Sequence, residues 1–321
     1  KDLTPEELGE LLSNGDGLIR FKGEWVRVDA RKVRDLMDRW TQAARMMSSL
    51  GIPLVQGLRM LVNGPSGQLV QIPEPDEDCV MEPGQNLRQT LDILAGKVPV
   101  SIPELPSRLD ALMRPYQKEG FSFLYRITEQ GFGACLADDM GLGKTLQAIA
   151  WLDTLRRKGR LEGLPALIVA PASLLSNWKE EAQRFAPELI LRIMHPSSPD
   201  PWQPEKNLRR KDCHAVITTY GMAARTSALA DLHFPAIILD EAQAIKNAGS
   251  ARSRAIRSLH GERRIALSGT PVENNLNELW SLMEFLNPGL LGSRKSFESF
   301  TRSLERGYAP LRRLVRPFIL R

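Results

Sequence analysis

From residue 108 onward the chain alternates two textures. Short apolar runs occupy 133–137, 165–170, 189–194, 214–219, 235–239 and 264–268, and most are followed by apolar residues at helical spacing. Continuous apolar strands alternating with helices predict a parallel sheet covered on both faces. The expected class is therefore α/β. No internal repeat or low-complexity segment breaks the pattern.

Residues 1–106 read differently. Thr4-Pro5-Glu6-Glu7 has the form of a capping box with a proline in the first turn. LIRFKGEWVRVD at 18–29 alternates apolar and polar positions on either side of Lys22-Gly23, which predicts a hairpin. Asp29 is placed to cap a helix with Val33, Leu36, Met37, Trp40 and Ala44 on one face. Residues 73–84 hold three prolines and five acids and read as a loop or linker. A helix is expected around 85–96, and the proline-rich stretch 99–106 marks a boundary. The expectation is a smaller α+β or mostly helical accessory domain over 1–106, followed by a second domain over 107–321.

Composition agrees with this division. The 321 residues suit about two domains, at the usual ~100–200 residues each. With 42% hydrophobic and 25% charged residues, disorder, collagen and coiled coil are poor descriptions of the whole. The longest strongly apolar stretch, 165–175, falls short of the ~18 residues that span a membrane. The N-terminus lacks the basic start and apolar run of a signal peptide, and without an initiator Met the chain reads as an excised piece. Cys79, Cys135 and Cys213 are far apart, and His195, His214, His233 and His260 are scattered. That spacing fits a reducing cytoplasm and argues against a disulfide framework or a zinc site. The net charge of +5 is uneven: residues 294–321 hold eight basic and two acidic residues, while the rest holds 35 basic against 36 acidic. The basic excess is a property of the C-terminal segment.

Two segments carry chemistry. GACLADDMGLGKTLQAIAWL at 133–152 is an apolar strand, a glycine-rich turn, Lys-Thr and a helix, which is the context of a phosphate-binding loop. Gly141 and Gly143 let backbone N–H groups approach phosphates, and the helix beginning near Lys144 points its positive end at them. Lys144 is expected to reach the β- and γ-phosphates and Thr145 to ligate Mg²⁺. Asp138 stands where the strict pattern has its first Gly. The second segment, FPAIILDEAQAIKN at 234–247, is a buried strand ending in Asp240-Glu241. One carboxylate there can hold Mg²⁺, and its neighbour can orient and deprotonate an attacking water.

With these residues in view, the chain resembles the SWI/SNF-type ATPases of helicase superfamily two. DDMGLGKT at 138–145, LDEAQAIKN at 239–247 and ALSGTPVENNLNELWSLMEFLNPGLLG at 266–292 resemble motifs I, II and III. LMRPYQKEGFSFL at 112–124 is similar to the family's adenine-sensing Gln motif, and APASLLSNW at 170–178 and ITTYGM at 217–222 to motifs Ia and Ib. Gln243, Glu273 and the NPGLLG ending look like the bacterial branch.

The resemblance implies a RecA-like P-loop lobe with a central parallel sheet, using ATP and Mg²⁺. It assigns nucleotide contact to Arg114, Gln117, Asp139, Met140, Gly141, Leu142, Gly143, Lys144 and Thr145. Mg²⁺ falls to Thr145 and Asp240, and the chemistry to Lys144, Asp240, Glu241 and Gln243. Ser173, Asn177, Thr219, Tyr220, Asn247, Ser268, Gly269 and Thr270 match positions on or next to the nucleic-acid track. Trp178 reads as a packing residue rather than a base stacker. The family translocates on duplex DNA and remodels protein–DNA complexes, and it needs a second RecA-like lobe with motifs IV to VI. Nothing after Pro310 resembles those motifs, and RRLVRPFILR looks like the exit from the first lobe. The piece alone is therefore expected to be monomeric, to bind nucleotide weakly and to turn it over slowly, with residues 1–106 free to meet a protein partner. Two rivals stand beside this reading: an RNA-directed helicase, and a nucleotide-sensing protein-binding module.

Overall fold

A computed structural model describes residues 17–21, 24–28, 85–94, 96–139, 141–207, 213–269, 276–302 and 309–321. The helix expected after Asp29, the Thr4 cap, Met140 and Thr270 lie outside the described residues. In the N-terminal part, β1 (Gly17–Phe21) and β2 (Glu24–Val28) pair antiparallel from Gly17↔Val28 to Phe21↔Glu24, the hairpin that the alternation predicts. Helix α1 (Gln85–Leu94) follows within the expected window.

The remaining elements build one layered unit. Helices α2 (Ser107–Leu112) and α3 (Pro115–Glu129) lead to β3 (Ala134–Leu136). After it come α4 (Lys144–Arg157), β4 (Ala166–Ala170), α5 (Leu175–Phe185), β5 (Leu191–Met194), α6 (Pro204–Asn207), β6 (Ala215–Thr219) and α7 (Tyr220–Arg225). The chain continues through β7 (His233–Leu239), α8 (Ala251–Arg257), β8 (His260–Leu267), α9 (Leu276–Leu286), α10 (Arg294–Arg302), α11 (Ala309–Val315) and β9 (Ile319–Leu320). Seven strands form one sheet in the order β5-β6-β4-β7-β8-β3-β9, and every neighbouring pair is parallel. Strand β4, ALIVA, is buried at all five positions, as a sheet covered on both faces requires.

The strand order sets the site. From β3 the chain crosses over β8 and β7 to reach β4. In open parallel sheets, ligands bind beyond the carboxyl ends of strands where the order reverses. Here β7, β8 and β3 lie side by side, so the loops leaving them converge.

Two features hold β3 in place. Asn287, just past α9, is buried and takes the backbone of Gly133 with both ends of its amide. Gly133 lies so close to Leu286 that a Cβ there would strike the Leu286 backbone. On its other edge β3 pairs with β9, Cys135↔Ile319 and Leu136↔Leu320, and Phe132 packs on Phe318 with ring centroids 5.1 Å apart. The C-terminal segment is thus part of the sheet rather than only an exit from it. Phe297 is fully buried and Phe300 packs on the core, while Arg312, Arg313 and Arg316 stay exposed beside buried Leu311 and Leu314. No described helix is long and apolar enough to cross a membrane.

Candidate nucleotide site and nucleic-acid track

The glycine-rich loop runs from the end of β3 into α4. Gly141 (φ 83°) and Gly143 (φ 75°) both take left-handed backbone, which other residues adopt only with strain. Gly143 is the N-cap of α4. The Lys144 side chain folds back, and its Nζ donates to the carbonyl oxygens of Asp138 (2.7 Å) and Asp139 (3.0 Å). A buried ammonium needs such partners, and Lys144 is buried. Thr145, next in the helix, is half-buried, while Asp139, Gly141 and Leu142 are exposed.

Gln117 ties the start of α3 to this loop. Its Oε1 accepts from the Arg114 backbone N–H at 2.9 Å, and its Nε2 donates to the Leu142 carbonyl at 3.2 Å. The amide lies directly over Gly143, where any Cβ would collide with its nitrogen. Arg114 supplies its backbone to this cap, and its side chain is exposed. Tyr116 is also exposed, so it is not a packing residue.

Two strands away, Asp240 leaves β7 with its N–H still in the sheet, bonded to the Val169 carbonyl at 2.8 Å. Its carboxylate is held at both oxygens: Oδ1 accepts from the Glu241 N–H at 2.9 Å and Oδ2 from the Trp178 indole N–H at 2.7 Å. Burial pushes the Asp240 carboxyl above its usual range; the indole hydrogen bond opposes this, the Glu241 charge adds to it, and the Glu241 N–H and Lys144 pull it back. Glu241 itself has φ 49°, the single described non-glycine residue with positive φ. Such strain persists only where the surroundings fix it, and it gathers at functional sites. The Gln243 amide donates to Glu241 Oε2, and Ser268 Oγ, beyond the end of β8, donates to Gln243 Oε1 at 3.0 Å. Ser268 also keeps its N–H on the Leu136 carbonyl of β3 at 3.0 Å. Residue 268 thus touches both neighbouring strand ends.

The described residues matched to the nucleic-acid track fall into three groups by exposure. Ser173, Asn177 and Asn247 are exposed and available to a partner. Asn177 donates to Glu181 at 3.0 Å, and Asn247 Oδ1 accepts from the Gly249 N–H at 3.1 Å. Thr219 is half-buried, and its Oγ1 caps α7 by accepting from the Met222 N–H at 3.2 Å. Tyr220, Ser268 and Gly269 are buried. Tyr220 spends its hydroxyl on the Asp240 carbonyl at 2.7 Å, and Ser268 spends its own on Gln243.

Trp178 is fully buried, so it stacks on no base; its bond to Asp240 is a contact that motif spacing did not reveal. An open groove of about 340 Å³ lies between Gly143 and Leu146 on one side and Asn177, Glu180, Glu181, Arg184 and Phe185 on the other. It joins the glycine loop to the exposed face of α5. Behind the track, the Ile245 carbonyl accepts from Ser253 at 3.1 Å and Ser281 at 2.7 Å, anchoring the segment that carries Asn247.

The donor set suits a nucleoside triphosphate with a divalent cation. It offers an ammonium, a hydroxyl at a helix start, two adjacent carboxylates and a loop that Gly141 leaves open to approach.

Comparison with known proteins agrees. The family model described as SNF2-related domain matches residues 116–321, and one described as SNF2 Helicase protein matches residues 1–62. The protein named putative ATP-dependent helicase/translocase YwqA, of Bacillus subtilis, is 37% identical over the whole chain. The chain spans only 35% of that protein. The chromatin-remodeling ATPase INO80 of Pyricularia oryzae is 37% identical over 72% of the chain, which covers 12% of it. The solved SWI2/SNF2 ATPase core of Sulfolobus solfataricus in complex with dsDNA superposes with a TM-score of 0.58 at 40% identity, covering 65% of this chain and 44% of that one. The match over 116–321, together with the all-parallel sheet and the loop that ends in Lys144, makes this chain a member of the SNF2 family of helicase-like, nucleotide-using proteins.

Proposed function

We propose that the chain is the ATP-binding first motor lobe, with an accessory region over 1–106, of a bacterial cytoplasmic DNA-dependent ATPase that translocates on duplex DNA and remodels protein–DNA complexes. The observation that carries this reading is the convergence of Lys144, Asp240 and Glu241 at the carboxyl ends of β3 and β7, with β8 between them.

In this reading Lys144 exchanges the Asp138 and Asp139 carbonyls for phosphate oxygens. Gly141, Gly143 and the first turn of α4 donate N–H groups to the same phosphates. Gln117, with the exposed Arg114 and Leu142 beside it, reads the adenine edge, and Met140 and Asp139 complete the loop. Thr145 and Asp240 hold Mg²⁺, which neutralises charge on the β- and γ-phosphate oxygens when bound. Glu241 orients the attacking water and accepts its proton. Gln243 fixes the Glu241 carboxylate with its amide nitrogen, while its amide oxygen accepts from Ser268. Exposed Ser173, Asn177 and Asn247, with the N-terminal end of α7 at Thr219, offer sequence-independent contacts to a DNA backbone. Thr270 belongs to the same track by its place in the motif. The likeness to a core solved with dsDNA supports duplex DNA as the partner. Residues 1–106 are free to dock a protein partner, and the chain by itself is monomeric.

The test is steady-state ATP hydrolysis by the full-length protein with saturating duplex DNA, single-stranded DNA or RNA, set against this 321-residue chain alone. Strong stimulation by duplex DNA, absent from the isolated chain, is expected. In related NTPases the arginines supplied from outside such a lobe contribute roughly 10³–10⁵ in turnover. Stimulation by RNA alone, or robust DNA-stimulated turnover by the isolated chain, contradicts the reading.

A further inference from the structure

A carboxylate that holds a metal is useful only in one orientation, and outer hydrogen bonds normally set that orientation. Asp240 has two such bonds from side chains far away in sequence. The Trp178 indole N–H lies 2.7 Å from Oδ2, and the Tyr220 hydroxyl lies 2.7 Å from the Asp240 carbonyl oxygen. Both donors are buried, so water does not compete for them. Both follow directly on residues expected to meet nucleic acid: Trp178 follows exposed Asn177 on α5, and Tyr220 follows Thr219 at the start of α7.

We propose that Trp178 and Tyr220 are positioning residues for Asp240, the indole setting its carboxylate and the phenol its backbone. The two segments that face nucleic acid thereby hold the metal-binding residue from behind. Contact at Asn177 or Thr219 shifts α5 or α7, and the shift reaches Asp240 through one hydrogen bond each. This path is separate from the chain Ser268–Gln243–Glu241, which acts on the neighbouring carboxylate. The inference rests on the nucleotide-site reading above.

The test is Mg²⁺ titration of fluorescent ATP-analogue binding in the full-length protein, with W178F and Y220F beside wild type and an EDTA arm for each. Y220F keeps the ring and removes only the hydroxyl, whereas W178F removes the indole donor together with part of a fully buried ring, so the EDTA arm separates lost packing from lost metal affinity. W178F is expected to raise the half-saturating Mg²⁺ concentration about 10–100-fold, the usual effect of losing an outer-shell partner. Y220F is expected to raise it less. Both should leave affinity in EDTA within about two-fold of wild type, since neither touches the phosphate loop. An unchanged Mg²⁺ midpoint, or an equal loss of affinity with and without Mg²⁺, overturns the proposal. Wild-type binding that ignores Mg²⁺ instead overturns the nucleotide-site reading, a distinguishable failure.

A second measurement stands even if W178F does not fold. In ¹⁵N-tryptophan-labelled wild type, the Trp178 indole signal should move when Mg²⁺ is added to the nucleotide complex, and again when a short DNA duplex is added. A signal blind to Mg²⁺ removes the positioning role. A signal blind to DNA removes the transmission.

Discussion

Asn287 and Gly133 are 154 residues apart, yet the asparagine amide closes a two-bond ring on the glycine backbone. Oδ1 accepts from the Gly133 N–H at 2.9 Å, and Nδ2 donates to the Gly133 carbonyl at 3.1 Å. Both bonds are buried. N287A should therefore cost about 2–4 kcal/mol, the penalty for leaving two buried backbone groups unsatisfied. A drop in the urea midpoint with an unchanged m-value checks this. Because β3 leads into the phosphate loop, nucleotide affinity should fall in the same variant.

Lys144 carries the phosphate reading most directly. K144A removes the single ammonium that the described loop folds around. Nucleotide affinity should drop by roughly 10–100-fold, the worth of one charge-assisted contact. A variant that binds ATP as tightly as wild type, measured by calorimetry, would falsify the phosphate role.

Gln117 makes one bond to its own helix start and one to the phosphate loop. Q117A should reduce ATP affinity by about ten-fold, equivalent to about 1.4 kcal/mol, and narrow the preference for ATP over GTP. Inorganic triphosphate should bind the variant and wild type alike. An equal loss for all three ligands would show that Gln117 only braces the loop.

Cys135 lies inside β3, and its thiol is pushed up to about 12, first by burial, then by the Asp138 charge, with Lys144 opposing. The folded thiol is expected to resist alkylation at pH 8, because the thiolate is the reactive form. Linkage gives the sign at higher pH. An unfolded thiol titrates near 9.0, whereas the folded one stays protonated to about 12. Above 9.0 the unfolded state releases the proton first, so stability falls as pH rises across that window. C135A should flatten this alkaline slope by up to about 1.4 kcal/mol per pH unit. Urea melts at stepped alkaline pH, read against wild type, decide it.

How much of this was legible in the sequence depended on how local the cause was. The six apolar runs became β3 to β8, because a strand buried on both faces shows its nature in its own residues. Strand β8 nevertheless begins at His260, four residues before the apolar run at 264. Its polar first half, HGER, is set by pairing with β7 rather than by burial. Strand β9 has two residues and exists only because β3 offers an open edge. The order β5-β6-β4-β7-β8-β3-β9 is a property of long-range pairing that no local window contains.

The candidate site followed the same rule. Lys144, Thr145, Asp240 and Glu241 were legible as residues that follow apolar strands, and they do follow β3 and β7. Side-chain direction was not. Tyr220 and Ser268 stand in track motifs but turn inward, since a residue just past a strand end points where the following loop or helix directs it. The Trp178–Asp240 bond joins positions 62 apart and left no trace in either motif.

The left-handed backbone at Glu241 has a practical consequence. A glycine there would relax the strain and would also delete the carboxylate that the chemistry needs. Thermal-shift selection applied to this lobe without an activity readout would therefore favour inert clones. A glycine enriched at 241 would mark the place where the backbone carries strain to present a carboxylate.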